Sequence, residues 1–291
     1  MPMVEYIWPL GAALGEGPLW DARSATLWFT DIKKGRVHRL DPASGQRDTF
    51  ELGGQPGFIV PSDDGGFVVG RGHELLRFDG TALDAEPLAT VEMAAGNRLN
   101  DAVVDSAGRL WFGSMDDGET SPSGAVYLFD RGRLARAGGE CVITNGPTVT
   151  GDGRYVYHVD TLGRTIWRFD ISAGDELRDG SVFARIDPAD GTPDGVTIDA
   201  EDHVWVGLWG GWQARRYAPD GSLVQTVELP CANVTKLAFG GADLKTAYVT
   251  TARIGLTPAE LEAQPEAGGL FAFSVDVPGV PSGILALGGG R

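Results

Sequence analysis

The sequence predicts an all-β fold: a six-bladed β-propeller whose ring is closed by an N-terminal strand. Three observations support this prediction. A turn rich in Asp and Gly, followed by a short apolar strand with aromatic residues, recurs six times in 291 residues. The repeats lie 40 to 49 residues apart, which is the period of a propeller blade built from several strands. The 43 Gly and 17 Pro residues favour many short strands joined by turns over long helices.

Each predicted blade contains this turn and aromatic strand. The six segments are DARSATLWFTD (21–31), SDDGGFVVGR (62–71), DSAGRLWFGSM (105–115), TGDGRYVYHVD (150–160), DAEDHVWVGLW (199–209) and GGADLKTAYVTT (240–251). A third strand follows after a loop, as in RVHRLDP (36–42) and TIWRFDI (165–171). The alternation of apolar and polar residues in these segments is typical of half-buried strands.

The repeats predict one domain over residues 1–291, without a linker. The expected blades span roughly 11–52, 53–95, 96–143, 144–190, 191–232 and 233–285. Little chain follows GGLFAFSVD (268–276) in the last blade, so VEYIWPL (4–10) is expected to supply its outer strand. Such closure removes two free sheet edges. One helical turn is predicted at 257–264, and the glycine run at 288–290 is interpreted as a flexible tail.

The composition excludes several classes of partner. A net charge of −16 disfavours nucleic-acid backbones and anionic membranes. Two cysteines, Cys141 and Cys231, are too few for a disulfide scaffold or a cysteine-rich metal site. The N-terminal segment has no basic region and no long apolar run, so we expect neither a signal peptide nor a transmembrane segment. The expectation is therefore a cytoplasmic protein, a monomer or a weak homo-oligomer.

The phase of the repeat predicts where a site lies. The innermost strand of each blade lines the central channel, and its first residues stand at one mouth. Counting back about 11 residues from each aligned aromatic position reaches Glu16, Phe58, Asn100, Asn145, Asp194 and Thr235. Buried carboxylates without partners are costly, and two on one axis repel each other. We therefore predict that one divalent metal ion binds among the four residues with carboxylate or amide side chains.

The predicted ligands also indicate the kind of metal and substrate. Carboxylate and amide oxygens suit Ca²⁺, Mg²⁺ or Mn²⁺, and three or four protein ligands leave positions for water and substrate. The alternative is that these residues only cap strands or form Asx turns. Arg98 and Glu119 are candidates for binding a polyhydroxylated ligand. Trp209 and Trp212 are expected either to stack on a sugar-like ring or to pack within the blades.

Several motifs together resemble the SMP-30/gluconolactonase/regucalcin-like family. They are GEGPLW (15–20), NRLNDAVVDSAGRLWFGSM (97–115), ITNGP (143–147), PDGVTIDAEDHVWVGLWGG (193–211) and FGGADLKTAYVTTAR (239–253). The resemblance covers nearly the whole chain. It implies a six-bladed propeller that holds one divalent metal ion, with Ca, Mn, Mg, Zn and Fe all open, and in many members it implies hydrolysis of sugar lactones. Two further segments look most similar to bacterial lactonases that act on pentonolactones.

The resemblance also implies roles for individual residues. The implied metal ligands are Glu16, Asn145 and Asp194. The implied substrate-binding residues are Arg98, Asn100 and Glu119, the last from the loop MDDGETSPSG (115–124). Asp194 would in addition be the catalytic acid and base.

The predicted reaction is hydrolysis of a pentono- or hexonolactone to the aldonic acid. The metal would polarise the lactone carbonyl, and Asp194 would take a proton from the attacking water and return one to the ring oxygen. A hydroxide generated at the metal is the alternative base. Two other functions stay open. One is an esterase or phosphotriesterase on the same metal site, which an apolar pocket around Phe58 would favour, and the other is a metal-binding propeller without catalysis.

Overall fold

The computed structural model of the chain describes residues 2–288. It contains six four-stranded antiparallel sheets. The inner strand of each sheet contacts the inner strand of the next, and the last contacts the first. The sheets are therefore the blades of a closed six-bladed β-propeller, as predicted. Positions 289 and 290 of the predicted glycine tail lie outside the described residues.

The chain builds the blades in order. The first strand, β1 (Glu5–Trp8), belongs to the last blade. Blade 1 consists of β2 (Gly15–Asp21), β3 (Thr26–Asp31), β4 (Arg36–Leu40) and β5 (Arg47–Glu51). Blade 2 consists of β6 (Pro56–Pro61), β7 (Phe67–Arg71), β8 (Glu74–Phe78) and β9 (Ala89–Thr90). Blade 3 consists of β10 (Asn97–Val104), β11 (Leu110–Asp116), β12 (Gly124–Asp130) and β13 (Arg133–Cys141).

The second half of the chain repeats this arrangement. Blade 4 consists of β14 (Thr144–Val149), β15 (Tyr155–Asp160), β16 (Thr165–Asp170) and β17 (Ser181–Arg185). Blade 5 consists of β18 (Thr192–Ile198), β19 (Val204–Trp209), β20 (Gln213–Tyr217) and β21 (Leu223–Glu228). Blade 6 consists of β22 (Val234–Gly240), β23 (Thr246–Thr251), β24 (Leu270–Ser274) and β1. Two 3₁₀ turns, Ile32–Lys34 and Pro188–Asp190, lie in connecting loops.

The N-terminal strand closes the ring. Strand β1 pairs antiparallel with β24, with Tyr6 opposite Phe271. The buried ring of Trp8 at the end of β1 packs edge-on against Phe29 of blade 1, with ring centroids 5.6 Å apart. The outer strand of blade 6 is thus fastened to the first blade, which confirms the predicted closure.

The predicted helical turn is also present, as α1 (Pro258–Ala263). The Thr257 side chain accepts a hydrogen bond from the Glu260 backbone N–H, and the Glu260 carboxylate accepts one from the Thr257 backbone N–H. This reciprocal cap explains why a helix begins here. Among residues 2–288, no helix has the length and apolar composition needed to cross a membrane.

The apolar core lies between the faces of neighbouring blades. Trp28 of blade 1 packs against Phe67 of blade 2, with ring centroids 4.7 Å apart. Phe58 of blade 2 packs against Phe112 of blade 3 at 5.9 Å. Large aromatic rings fill the wedge-shaped spaces between twisted sheets. Aromatic side chains of neighbouring blades therefore hold one blade to the next.

The acidic residue that opens the repeat turn has a structural role. The indole N–H of Trp111 donates to Asp105 at 3.1 Å, and that of Trp205 donates to Asp199 at 3.0 Å. Asp199 also accepts a hydrogen bond from Arg216 Nε at 2.7 Å. The bonds to Asp199 join its turn to β19 and β20, the two strands that follow it. In blades 3 and 5 the Asp of the turn and the aromatic residue therefore contribute to stability, separately from the site.

We expect Asp199→Ala to lower the free energy of unfolding by about 3 kcal/mol, because it leaves the buried indole of Trp205 and the guanidinium of Arg216 without their acceptor. Chemical denaturation measures this change. Asp220→Ala is the matched control, since this exposed carboxylate bonds only Ser222 within its own turn. Equal stability of the two variants would contradict the proposed role of Asp199.

Candidate active site

A bulge interrupts the inner strand of each blade beside the predicted ring position. In every inner strand the ring residue lies inside a register shift or at its edge. The shifts fall at Glu16/Leu19, Pro56/Phe58, Leu99/Ala102, Asn145/Thr148, Pro193/Val196 and Val234/Leu237. A bulge twists a strand and re-aims its side chains. Gly17 and Gly146 follow two of these residues with φ of 53° and 66°, a conformation that glycine adopts without strain. The backbone is thus shaped to present these side chains.

The four polar ring residues line one cavity of about 300 Å³ at the N-terminal ends of the inner strands. Arg98 and Glu119 line it as well, so the structure brings together every residue that the sequence placed in the site. The other two ring positions lie outside it. Thr235 donates its hydroxyl to Gly15 O at 2.7 Å. Phe58 borders a smaller cavity of about 70 Å³ deeper in the channel.

The position of Phe58 corrects one expectation. Its ring is buried among blade residues and gives no apolar wall to the main cavity. The suggestion that Phe58 favours an esterase or phosphotriesterase pocket is therefore wrong. Other apolar side chains do border the cavity, among them Met115, Ile143 and Trp209.

Two buried carboxyl groups meet at the base of the cavity. Glu16 and Asp194 are 5% and 6% exposed, and their carboxyl groups lie within hydrogen-bonding reach of each other. Burial, with the charge of Asp101, raises the pKa of Glu16 to about 7. Burial and the neighbouring Glu16 raise the pKa of Asp194 well above its usual range. The pair therefore holds a proton near neutral pH unless a cation takes its place.

A chain of amide hydrogen bonds fixes the third predicted ligand. Asn145 donates through Nδ2 to the Thr161 hydroxyl at 3.0 Å. Its Oδ1 accepts from Asn100 Nδ2 at 2.8 Å, and Asn100 Nδ2 also donates to Thr144 O at 2.8 Å. Asn100 Oδ1 accepts in turn from Arg98 Nη1 at 2.6 Å. The carbonyl oxygen of Asn145 keeps a second lone pair for a cation.

The guanidinium of Arg98 is held by an acidic residue that the sequence analysis missed. Arg98 is 4% exposed and donates through Nε to Asp117 at 2.7 Å. Lys33, which also lines the cavity, donates to the same carboxylate at 2.6 Å. Burial alone would raise the pKa of Asp117, but the bonds from Lys33 and Arg98 outweigh it and lower that pKa to about 2. The sequence showed only that the loop at 115–124 carries acidic residues. Nothing in it indicated that Asp117 would pair with Lys33.

Glu119 reaches the cavity from the same loop. Its backbone has a φ of 56°, an uncommon conformation for a residue other than glycine. The neighbouring Asp116 carboxylate accepts hydrogen bonds from the backbone N–H groups of Thr120 and Ser121 at 3.0 and 2.9 Å. Asp116 thereby organises the loop that carries Glu119. Of the two predicted aromatic residues, Trp209 lines the cavity and Trp212 lies outside it.

The family model for the SMP-30/gluconolactonase/LRE-like region matches residues 14–253, a stretch that includes all four polar ring residues. The chain belongs to this family. The 6-deoxy-6-sulfogluconolactonase of Pseudomonas putida is 32% identical over 94% of this chain and 96% of its own. Human regucalcin is 33% identical over 93% of this chain and 94% of its own.

A solved structure of a regucalcin has the same architecture. The calcium-binding protein regucalcin from Agrobacterium tumefaciens superposes with a TM-score of 0.92 at 27% identity, over 97% of both chains. The resemblance inferred from the motifs is therefore confirmed at the level of family and fold.

The donor atoms in the cavity of this chain fit a divalent cation with oxygen ligands. Among residues 2–288, no group of three His, Cys, Asp or Glu side chains is placed to hold a metal. The ring instead offers two carboxylates, Glu16 and Asp194, and the amide oxygen of Asn145 beside them. Two facing carboxylates carry a charge that a divalent ion would neutralise, and an all-oxygen set suits a hard cation.

A second charged pair that the sequence analysis missed lies deeper in the channel. Lys236 donates through Nζ to Asp101 at 2.5 Å, and both side chains are buried. A Cβ at Gly195 would lie 2.6 Å from the Lys236 side chain, so the glycine after Asp194 makes room for the lysine. The charge of Lys236 opposes the rise in pKa of Glu16 and Asp194. The positive charge of Lys236 therefore stabilises the ionised forms of Glu16 and Asp194.

We expect divalent cations to stabilise the protein more as pH rises from about 5.5 to about 8. The raised pKa values of Glu16 and Asp194 favour the folded state while both are protonated. That contribution is lost as pH passes through about 7, the pKa of Glu16, and a cation that replaces the proton restores it. Melting temperatures with chelator and with Ca²⁺ or Mn²⁺ measure the difference.

The control for this titration is Glu16→Gln, which removes one of the two charges. Its melting temperature should respond less to the cation, and with less dependence on pH. A cation effect of the same size at every pH in the unmodified protein would contradict the competition between protons and metal.

Proposed function

We propose that this protein hydrolyses a sugar aldonolactone, a pentono- or hexonolactone, to the aldonic acid with one divalent metal ion. The observation that carries the proposal is the convergence of two buried carboxyl groups, Glu16 and Asp194, with the positioned guanidinium of Arg98 in one cavity. The name of the P. putida relative, a sulfogluconolactonase at 32% identity, supports a lactone as the substrate. The two buried, unpaired cysteines agree with a cytoplasmic location.

Glu16, Asn145 and Asp194 would hold the metal. A divalent ion bound there supplies an electrophile that polarises the lactone carbonyl and offsets the negative charge that develops on its oxygen. Oxygen donors favour Ca²⁺, Mg²⁺ or Mn²⁺, with Zn²⁺ and Fe²⁺ as further candidates.

Asp194 is the residue we assign to proton transfer. Water adds its oxygen to the carbonyl carbon, and Asp194 takes the proton that the water gives up. The ester C–O bond of the ring then breaks, and Asp194 returns a proton to the departing ring oxygen, which becomes a hydroxyl. The product is an open-chain aldonic acid. Burial raises the pKa of Asp194, which opposes the acidifying effect of a bound cation.

The substrate-binding wall comes from blade 3. Arg98 is anchored through Nε and Nη1, so its fork faces the cavity in one orientation and can donate to the hydroxyls of a polyol. Glu119 offers an acceptor from the loop above. Asn100 connects this wall to the metal ligands, because its amide bonds both Arg98 and Asn145. Binding of the sugar and orientation of the metal site are thereby coupled.

We expect the purified protein to hydrolyse at least one five- or six-membered sugar lactone, to lose this activity in chelator and to regain it with a divalent cation. Acid release above the spontaneous rate, across a panel of lactones and metals, measures turnover. Asp194→Asn should reduce kcat/KM by about 10²- to 10⁴-fold, because the variant has no base.

Asp160→Asn is the matched control for Asp194. Its carboxylate ends the aromatic strand of blade 4 and bonds Gly163 N at 3.0 Å, but it does not line the cavity. Turnover of no lactone with any metal would refute the proposed function. Full activity in Asp194→Asn would refute the role of that residue alone.

Asn100→Ala should raise KM by about tenfold while weakening cation affinity by about threefold or less. Arg98 loses the acceptor that orients it, whereas Asn145 keeps its bond to Thr161. Steady-state kinetics and calorimetric titration with Mn²⁺ separate the two effects. An equal or larger loss of cation affinity would instead place Asn100 among the metal ligands.

A further inference from the structure

A second concavity adjoins the candidate active site. This groove, of about 450 Å³, is lined by Trp209, Trp212, Asn233, Leu256, Glu260 and Gln264 among others. Trp209 and Gly255 line both the groove and the main cavity. A Cβ on Gly255 would lie 3.8 Å from the indole of Trp209, so the backbone of Gly255 follows the edge of that ring. The two concavities therefore meet at one tryptophan.

One tryptophan of this groove, Trp212, is exposed and has an uncommon backbone conformation. Trp212 is 43% exposed, whereas the other seven tryptophans are buried or half-buried. Its φ is 61°, a left-handed conformation that is costly for a bulky residue. Trp212 N donates to Ala232 O at 3.1 Å, and Trp212 O accepts from Leu229 N at 2.8 Å. Both backbone bonds fix this conformation, which keeps an indole ring in a solvent-facing groove.

The groove lies across the ring from the polyol-binding wall. Trp209 pairs with Thr192 of β18, two residues before Asp194, so it stands on blade 5. Leu256 and Glu260 belong to the segment between β23 and β24 of blade 6. Arg98 lies on blade 3, on the opposite side of the axis. A lactone whose hydroxyls face Arg98 would direct its other end toward Trp209 and the groove.

We propose that this groove is a second sugar subsite, which binds a neutral pyranose ring attached by a glycosidic bond to the lactone. The proposal rests on the lactone hydrolysis proposed above. A pyranose has an apolar C–H face and a rim of hydroxyls. The two indoles suit the face, and the Asn233 amide and the Glu260 carboxylate suit the rim. The charge of Glu260 disfavours an anionic substituent in this position, which selects a neutral sugar.

The preference for disaccharide lactones over glucono-1,5-lactone tests this subsite. The probes are cellobiono-1,5-lactone, with a 1,4 linkage, and melibiono-1,5-lactone, with a 1,6 linkage. In Trp212→Ala, the ratio of kcat/KM for the preferred disaccharide lactone to that for glucono-1,5-lactone should fall about fivefold to tenfold, because one stacking face is lost. Leu223→Ala, which removes an exposed apolar side chain from the outer strand of blade 5, should leave the ratio unchanged.

A second variant separates loss of the subsite from misfolding. Trp212→Gly should show the same fall in the ratio with a melting temperature no lower than that of the unmodified protein, because glycine adopts a φ of 61° without strain. An unchanged ratio in both Trp212 variants would overturn the proposal.

A binding measurement decides the subsite even if no lactone is hydrolysed, an outcome that would refute the proposed function. Calorimetric titration compares cellobionate and melibionate with gluconate. At least one disaccharide acid should bind more tightly than gluconate to the unmodified protein, and Trp212→Ala should abolish this difference. Equal affinities for all three acids would overturn the second subsite independently of catalysis.

Discussion

The meeting of two like charges at the propeller axis is the constraint on which the rest of the structure depends. Glu16 and Asp194 come from blades 1 and 5, and both carboxyl groups are buried within hydrogen-bonding reach of each other. Such a pair is unfavourable unless it shares a proton or binds a cation. No single blade could impose this approach. The closed ring does so, because β1 fastens blade 6 to blade 1 and fixes the distances between the inner strands.

The two cations around the pair are bound by other acids, which leaves the two carboxyl groups available to a ligand. Lys236, below them, is paired with Asp101. Arg98, beside them, is paired with Asp117. Each of these cations has its own counter-charge, and neither forms a direct ion pair with Glu16 or Asp194 that would compete with a metal. A preorganised site of this kind loses little free energy to rearrangement when substrate binds.

The cavity has two chemically different sides, and this asymmetry comes from loops on a rigid ring. The side of blade 3 carries charged hydrogen-bonding groups around Arg98, and the side of blade 5 carries the indole rings of Trp209 and Trp212. Strands carry Glu16, Asn145 and Asp194, to which we assign metal binding and proton transfer, whereas loops after the aromatic strands supply Glu119 and Trp212. Family members that share the ring can therefore differ in substrate through these loops.

The sequence by itself determined the blades and the ring of Glu16, Asn100, Asn145 and Asp194. Turn residues and strand alternation are local signals, and a repeat carries the phase of each inner strand from blade to blade. Only the tertiary structure decided that Phe58 turns away from the cavity. It also decided that Lys236 meets Asp101, 135 positions away, and that a groove opens beside Trp209. These contacts depend on the packing of separate blades around one axis, which no local pattern encodes.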